Sequence, residues 1–147
     1  MTAREYPSRP LVGIGCVVFR AGSVLLIRRA RAPALGAWSL PGGAQKLGET
    51  AAEAACREVR EETGVTIGQP HLVGVIDSIH RDATGRIRYH YTIIDYTAPW
   101  RSGEPRPGGD VDQARFVPCA DLAAYSLAQA VIDIVEKANI QRAAPGT

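Results

Sequence analysis

Between Gly42 and Val65 the chain reads GGAQKLGETAAEAACREVREETGV, and Glu49, Glu53, Glu58, Glu61 and Glu62 fall within fourteen residues. If this stretch is helical, Glu58, Glu61 and Glu62 are neighbours, because positions three and four apart meet on a helix surface. Like charges so placed cost roughly 0.2–0.5 kcal/mol per exposed pair, and more when desolvated, unless cations sit among them. Arg57 cannot neutralise all of them. Carboxylates with neighbouring backbone carbonyls form the all-oxygen donor set that suits Mg²⁺ or Mn²⁺. The competing reading is a solvated acidic face.

The rest of the chain supplies groups for a small anionic ligand rather than a long one. Its net charge is only +2, which argues against a nucleic acid polymer as partner. Arginines nevertheless gather at Arg28, Arg29 and Arg31, and again at Arg81, Arg86 and Arg88. Of these, Arg28, Arg29 and Arg88 could engage phosphate oxygens through charge-assisted hydrogen bonds. The Gly42-Gly43 pair lets backbone approach a ligand closely. Trp38, Tyr89 and Tyr91 offer flat faces for a nucleobase or ribose, a role that competes with plain core packing. Cys16, Cys56 and Cys119 are odd in number and widely spaced, and His71, His80 and His90 lack zinc-site spacing. Buried thiols, with no disulfide framework, zinc site or histidine chemistry, are expected.

These groups need elements to hold them. Thr50 and Glu53 form a Thr-x-x-Glu capping box and Gly64 stands where a helix ends, which predicts a helix over 50–63. Ala52, Ala55, Cys56 and Val59 give it one small apolar face. Before it, LVGIGCVVF and SVLLIRR flank a turn and read as strands over 11–19 and 23–29. A loop, RAPALGA, and a short WSL strand then lead to a Pro-Gly-Gly turn. HLVGVIDSIH and IRYHYTIIDYTA are further strands joined by RDATGR, with Ile87, Tyr89, Tyr91 and Ile93 on one face. Residues 99–110 carry neither period and are expected to be a functional loop. ARFVP makes a last short strand, and SLAQAVIDIVEKAN a final helix with Leu127, Ala130, Val131, Ile134 and Val135 inward. Strands with two separated helices predict an α+β fold, helices packed on a mixed sheet. One domain over 1–147 is expected, loose at 1–10 and 143–147. The chain shows no secretory h-region and no apolar run able to cross a bilayer, so a cytoplasmic protein without a membrane partner is expected.

The spacing within the acidic stretch adds a resemblance. Gly43, five residues, Glu49, seven residues, and then Arg57-Glu58-Val59-Arg60-Glu61-Glu62-Thr63-Gly64-Val65 resemble the Nudix box, a loop, helix and loop of 23 residues. The strand pattern on either side and the closing helix are similar to the Nudix fold over nearly the whole chain, which implies an α/β/α sandwich. The resemblance implies Glu58, Glu61 and Glu62 as metal ligands, with the carbonyl of Gly42 or a neighbour as a further ligand. Glu49 and Arg57 would brace the loop against the helix. Lys46 stands where many members carry an acid, which removes one potential metal contact. The implied activity is Mg²⁺-dependent, with Mn²⁺ as substitute: hydrolysis of the pyrophosphate in a nucleoside diphosphate linked to a further group. The attacking water would be handled by Glu61 or Glu62 of the box, or by Asp110 in the loop before the last strand, with Asp112 as second choice. Many relatives have glutamate where this chain has Gln113. The stretch VIDSIHRDATGRIRYHYTIIDY looks most like bacterial ADP-ribose pyrophosphatases, which implies cleavage of ADP-ribose to AMP and ribose 5-phosphate. A nucleoside triphosphate pyrophosphohydrolase and a non-catalytic nucleotide sensor are the alternatives, and a homodimer is left open.

Overall fold

Leu11–Arg20 (β1) and Ser23–Arg29 (β2) are apolar runs around a tight turn and form the expected pair of strands. They pair only beside that turn, through Phe19↔Val24 and Arg20↔Ser23, and then diverge. The free half of β1 takes Gly42–Ala44 (β4) on one side, antiparallel with Gly15 opposite Gly42. On the other side Ile87–Ser102 (β7) runs parallel to it, with Gly15 opposite Asp95. β2 instead pairs with Trp38–Ser39 (β3) and Val111–Pro118 (β8). Thr66–Ile67 (β5) and His71–Arg81 (β6) both lie antiparallel to β7. The result is an eight-stranded mixed sheet. This computed structural model describes residues 4–32 and 34–143. Residues 1–3 of the expected loose start, Pro33 of the RAPALGA loop and residues 144–147 of the tail lie outside them.

A helix covers each face. Ala51–Thr63 (α1) begins with the capping box complete, Thr50 accepting from the Glu53 N–H and Glu53 accepting from the Thr50 N–H. It stops at Gly64, whose φ of 73° is the left-handed conformation that glycine adopts without strain. Ala54, Ala55 and Val59 press against Ile14, Cys16, Val18 and Leu25. On the opposite face, Gln129–Ala143 (α2) places Ile134, Val135 and Ala138 against Val17, Phe19, Val24 and Leu26. Since β1 and β2 are covered on both sides, they read as unbroken apolar runs rather than alternating ones. The architecture is the α+β, α/β/α sandwich that the sequence suggests. Among the described residues no helix is long and apolar enough to cross a membrane.

Several local expectations change. The Pro-Gly-Gly turn continues into a true strand, β4, because β1 offers it an open edge. The aperiodic stretch 99–110 is strand as far as Ser102, where β5 pairs with it at Ile67↔Trp100 and Thr66↔Ser102. The last strand starts at Val111 rather than Ala114, and Cys119–Tyr125 forms an unforeseen 3₁₀ helix. Ala54 rather than Ala52 is fully buried on α1. Cys16 is buried, whereas Cys56 and Cys119 are half-buried, and all three are free thiols. Within the segment read as loose, the Tyr6 N–H donates to the Arg88 carbonyl at 2.7 Å and its hydroxyl to Asp82 at 2.8 Å.

Candidate active site

The site is built where β4 meets α1. A side chain on Gly42 would collide with the Ile14 carbonyl, and a Cβ on Gly43 would stand 2.6 Å from the Glu58 carboxyl carbon. The two glycines therefore bring bare backbone against the helix. Glu62, only 8% exposed, accepts the Gly42 N–H at 2.8 Å. Burial raises its pKa to about 7; the Gly42 hydrogen bond and the charge of Arg29 oppose the rise, and Glu58 and Asp110 add to it. Removal from water disfavours the ionised form, so a nearby cation would be strongly felt here.

Arg57 organises the remaining acids. Its Nε and Nη2 donate to the two oxygens of Glu49 at 2.9 and 2.6 Å, a fork that also reaches the Ala44 carbonyl at 3.1 Å. Its Nη1 donates to Glu58 at 2.7 Å and to Glu61 at 3.2 Å. The paired guanidinium, followed by the Lys46 N–H, holds the Glu49 carboxyl at a pKa of about 2. Loop and helix are thus clamped together, the bracing that the sequence suggests for Glu49 and Arg57. With Glu58 and Glu61 turned onto Arg57, no group of three acidic, histidine or cysteine side chains converges on one point among the described residues. The donor set still fits a hard divalent cation. It comprises three carboxylates from one stretch of helix, one of them buried, beside a glycine-lined backbone.

The loop before β8 is brought in by backbone contacts that composition does not reveal. The Arg106 N–H donates to the Thr63 carbonyl at 2.9 Å and the Gly108 N–H to the Glu62 carbonyl at 3.0 Å. A side chain on Gly108 would collide with the Glu61 carbonyl. This seats the loop on the end of α1 and puts Asp110 within electrostatic range of Glu62, while its carboxylate meets Arg31 Nε at 3.0 Å. Asp112 is engaged differently, gripped at both oxygens by Arg28 at 2.7 and 3.1 Å. A register shift between Arg28 and Arg29 separates the two arginines. A bulge re-aims side chains in this way, and it is Arg29 whose charge reaches Glu62.

The other candidates have different neighbours. Arg88 donates to Glu5 at 2.9 Å and lies over the Tyr89 ring, whose hydroxyl also donates to Glu5, at 3.0 Å. Trp38 meets the Tyr125 ring edge-on at 4.9 Å and carries the Arg115 guanidinium on its face. Gly42, Glu58, Glu61, Glu62, Arg29 and Asp110 therefore gather, whereas Arg28, Arg88, Tyr89 and Trp38 are held by other partners. Residue type and spacing do not single out Asp95, an acid inside the apolar run TIIDY. It is 3% exposed and burial raises its pKa to about 6. Its only signal in the sequence is a charge at a position that the strand pattern assigns to the interior.

Comparison with known proteins agrees with this fold. A model of the NUDIX domain matches residues 9–137. An ADP-ribose pyrophosphatase of Methanocaldococcus jannaschii is 36% identical over 107 residues, which are 73% of this chain and 61% of that protein. Among solved structures, a MutT NUDIX hydrolase from Burkholderia pseudomallei is 35% identical with a TM-score of 0.75, covering 88% of this chain and 98% of that one. The NUDIX domain of Shewanella oneidensis NrtR, solved with ADP ribose, is 25% identical with a TM-score of 0.76, covering 92% and 90%. The matches with two curated relatives span 61% and 53% of their lengths.

Proposed function

The chain belongs to the Nudix hydrolase family, and from that premise we propose that it hydrolyses the pyrophosphate of a nucleoside diphosphate linked to a further group, ADP-ribose being the preferred substrate, with Mg²⁺ bound at Glu58, Glu61, Glu62 and the Gly42 backbone. The observation that carries this reading is the buried Glu62 carboxylate seated on Gly42 beside Glu58 in the Gly43 cradle. The choice of ADP-ribose is supported by the relative named for that activity and by the related domain solved with that compound. A bound divalent cation supplies neutralisation of the charge that builds on the phosphoryl oxygens.

This chain's own residues do the rest. Glu49 keeps Arg57 in place, so that Glu58 and Glu61 can leave the guanidinium for a cation while the clamp between loop and helix survives. Arg29, the arginine whose charge reaches Glu62, faces the incoming phosphates. Asp110 orients the attacking water and accepts its proton, held at the edge of the site by the loop seated on α1. Asp110→Asn should lower kcat about 10²-fold with little change in KM, because an interaction made chiefly in the transition state is lost. An equal loss in Asp112→Asn, or none in either, would return that role to Glu61 or Glu62.

The substrate is tested by a panel of nucleotides with Mg²⁺, read by product identity. ADP-ribose should yield AMP and ribose 5-phosphate, and it should give the highest kcat/KM. A normal or oxidised deoxynucleoside triphosphate exceeding it tenfold, with release of pyrophosphate, would replace ADP-ribose by a triphosphate substrate. Saturable nucleotide binding without any product would make the domain a sensor.

A further inference from the structure

Asp95 is the buried acid for which the metal-centred chemistry has no use. Its Oδ2 is shut off from solvent and has no hydrogen-bond partner. An ionised carboxylate left without donors is among the costlier groups a fold can bury. Its orientation is specific. Gly15 is its neighbour in parallel register, and a Cβ there would collide with Asp95 Oδ1, so the carboxylate leans across bare backbone towards β1. On the far side of Gly15 lies Gly42, whose N–H holds Glu62. Asp95 therefore stands two strand spacings, about 10 Å, from the strand that carries the hydrolytic site. Beside it the same face is apolar: a Cβ on Gly13 would stand 3.3 Å from Ile93 and 3.4 Å from the Tyr91 ring. On this face Lys137 of α2 brings its Nζ to 3.3 Å from where a Cβ on Gly74 would stand, and Gly74 is the partner of Asp95 on β6.

We propose that Asp95 selects the nucleobase, its carboxylate accepting a hydrogen bond from the exocyclic amino group of a purine whose phosphates lie at Gly42 and Glu62. The inference rests on the nucleotide-hydrolase reading above. A carboxylate can only accept, so it rewards an amino group and repels a carbonyl oxygen. The neighbouring Ile93 and Tyr91 supply apolar and aromatic surface for the flat faces of the ring. A site that leaves a buried polar group unpaired rejects the analogue lacking the matching donor.

The test compares adenine and guanine substrates with their hypoxanthine counterpart, which lacks either amino group, in two series: ADP-, GDP- and IDP-ribose, and ATP, GTP and ITP, all with Mg²⁺. In whichever series is hydrolysed, the preferred amino-bearing purine should exceed the hypoxanthine compound in kcat/KM by about tenfold or more. The arm that shows the ratio tells adenine from guanine. In Asp95→Asn, whose side-chain amide serves either edge, the ratio should fall to within about threefold. The variant should melt at or above the wild-type temperature at pH 7, since it removes a buried charge. A wild-type ratio near one for both purines, which needs no variant, overturns the proposal. So does a ratio unchanged in Asp95→Asn, the result expected if Asp95 merely balances Lys137. Turnover confined to the triphosphates refutes ADP-ribose as substrate while leaving the base ratio readable. Should neither series turn over, the same ratio read from binding of ADP and GDP against IDP decides.

Discussion

Glu62→Gln should lower kcat/KM about 10³-fold or more in saturating Mg²⁺ while leaving the protein folded, a loss of about 4 kcal/mol in transition-state stabilisation. The amide oxygen can still accept the Gly42 N–H, so β4 and α1 stay joined. What disappears is the charge that a cation needs. Stability should move the other way. The Glu62 carboxyl titrates at about 7 in the fold, above its ordinary value, so its ionised form opposes folding and that penalty is relieved as pH falls through 7. Glutamine resembles the protonated form. In a chelator at pH 8 the variant should therefore melt at or above the wild-type temperature, measured by circular dichroism. Calorimetric titration should show weakened Mg²⁺ binding. Near wild-type turnover in Glu62→Gln would remove the metal assignment from this residue.

Arg57→Lys is expected to cost about 10- to 100-fold in kcat/KM although the charge is kept, the range seen when a group that orients metal ligands is lost. The guanidinium bonds Glu49 through two nitrogens while reaching the Ala44 carbonyl, Glu58 and Glu61. A lysine ammonium is a single point with three donors and cannot reproduce that planar fork. Glu49 should then lose its fixed place, and the Gly42–Ala44 strand should shift against α1. The consequence is a raised Mg²⁺ requirement, so the defect should shrink as Mg²⁺ increases. Glu49→Gln should reproduce the defect in part, and a double-mutant cycle should show the two changes to be strongly non-additive. Additive effects, or a loss that Mg²⁺ does not touch, would mean that Arg57 acts by some route other than bracing the loop.

The helix that carries the acids is legible in the sequence alone, since its start and stop rest on local chemistry. Thr50, Glu53 and Gly64 satisfy or end the helix within four residues of themselves, and each of those bonds is closed in the fold. The strands over 11–20 and 23–29 are legible for a similar reason: unbroken apolar runs around a turn leave few other ways to bury so much surface. The glutamate spacing, through helix geometry, places Glu58, Glu61 and Glu62 together whatever the helix packs against.

What the sequence could not express was pairing between distant segments. Gly42–Ala44 has no strand propensity of its own and becomes β4 only because β1 parts from β2 and exposes an edge. Neither could it say which arginine each aspartate meets, since Asp110 and Asp112 are two residues apart and only the fold brings Arg31 to the first and Arg28 to the second. The same holds for Arg88, whose charge is engaged by Glu5 from 83 positions away. By itself the sequence determined the helix and the grouping of its acids, because periodicity and capping act over a single turn, while the hydrolytic chemistry was implied by its resemblance to the Nudix box. The tertiary structure alone decided which arginine reaches Glu62, how the loop seats on α1 and that Asp95 is buried without a donor, because each depends on register between strands far apart in the chain.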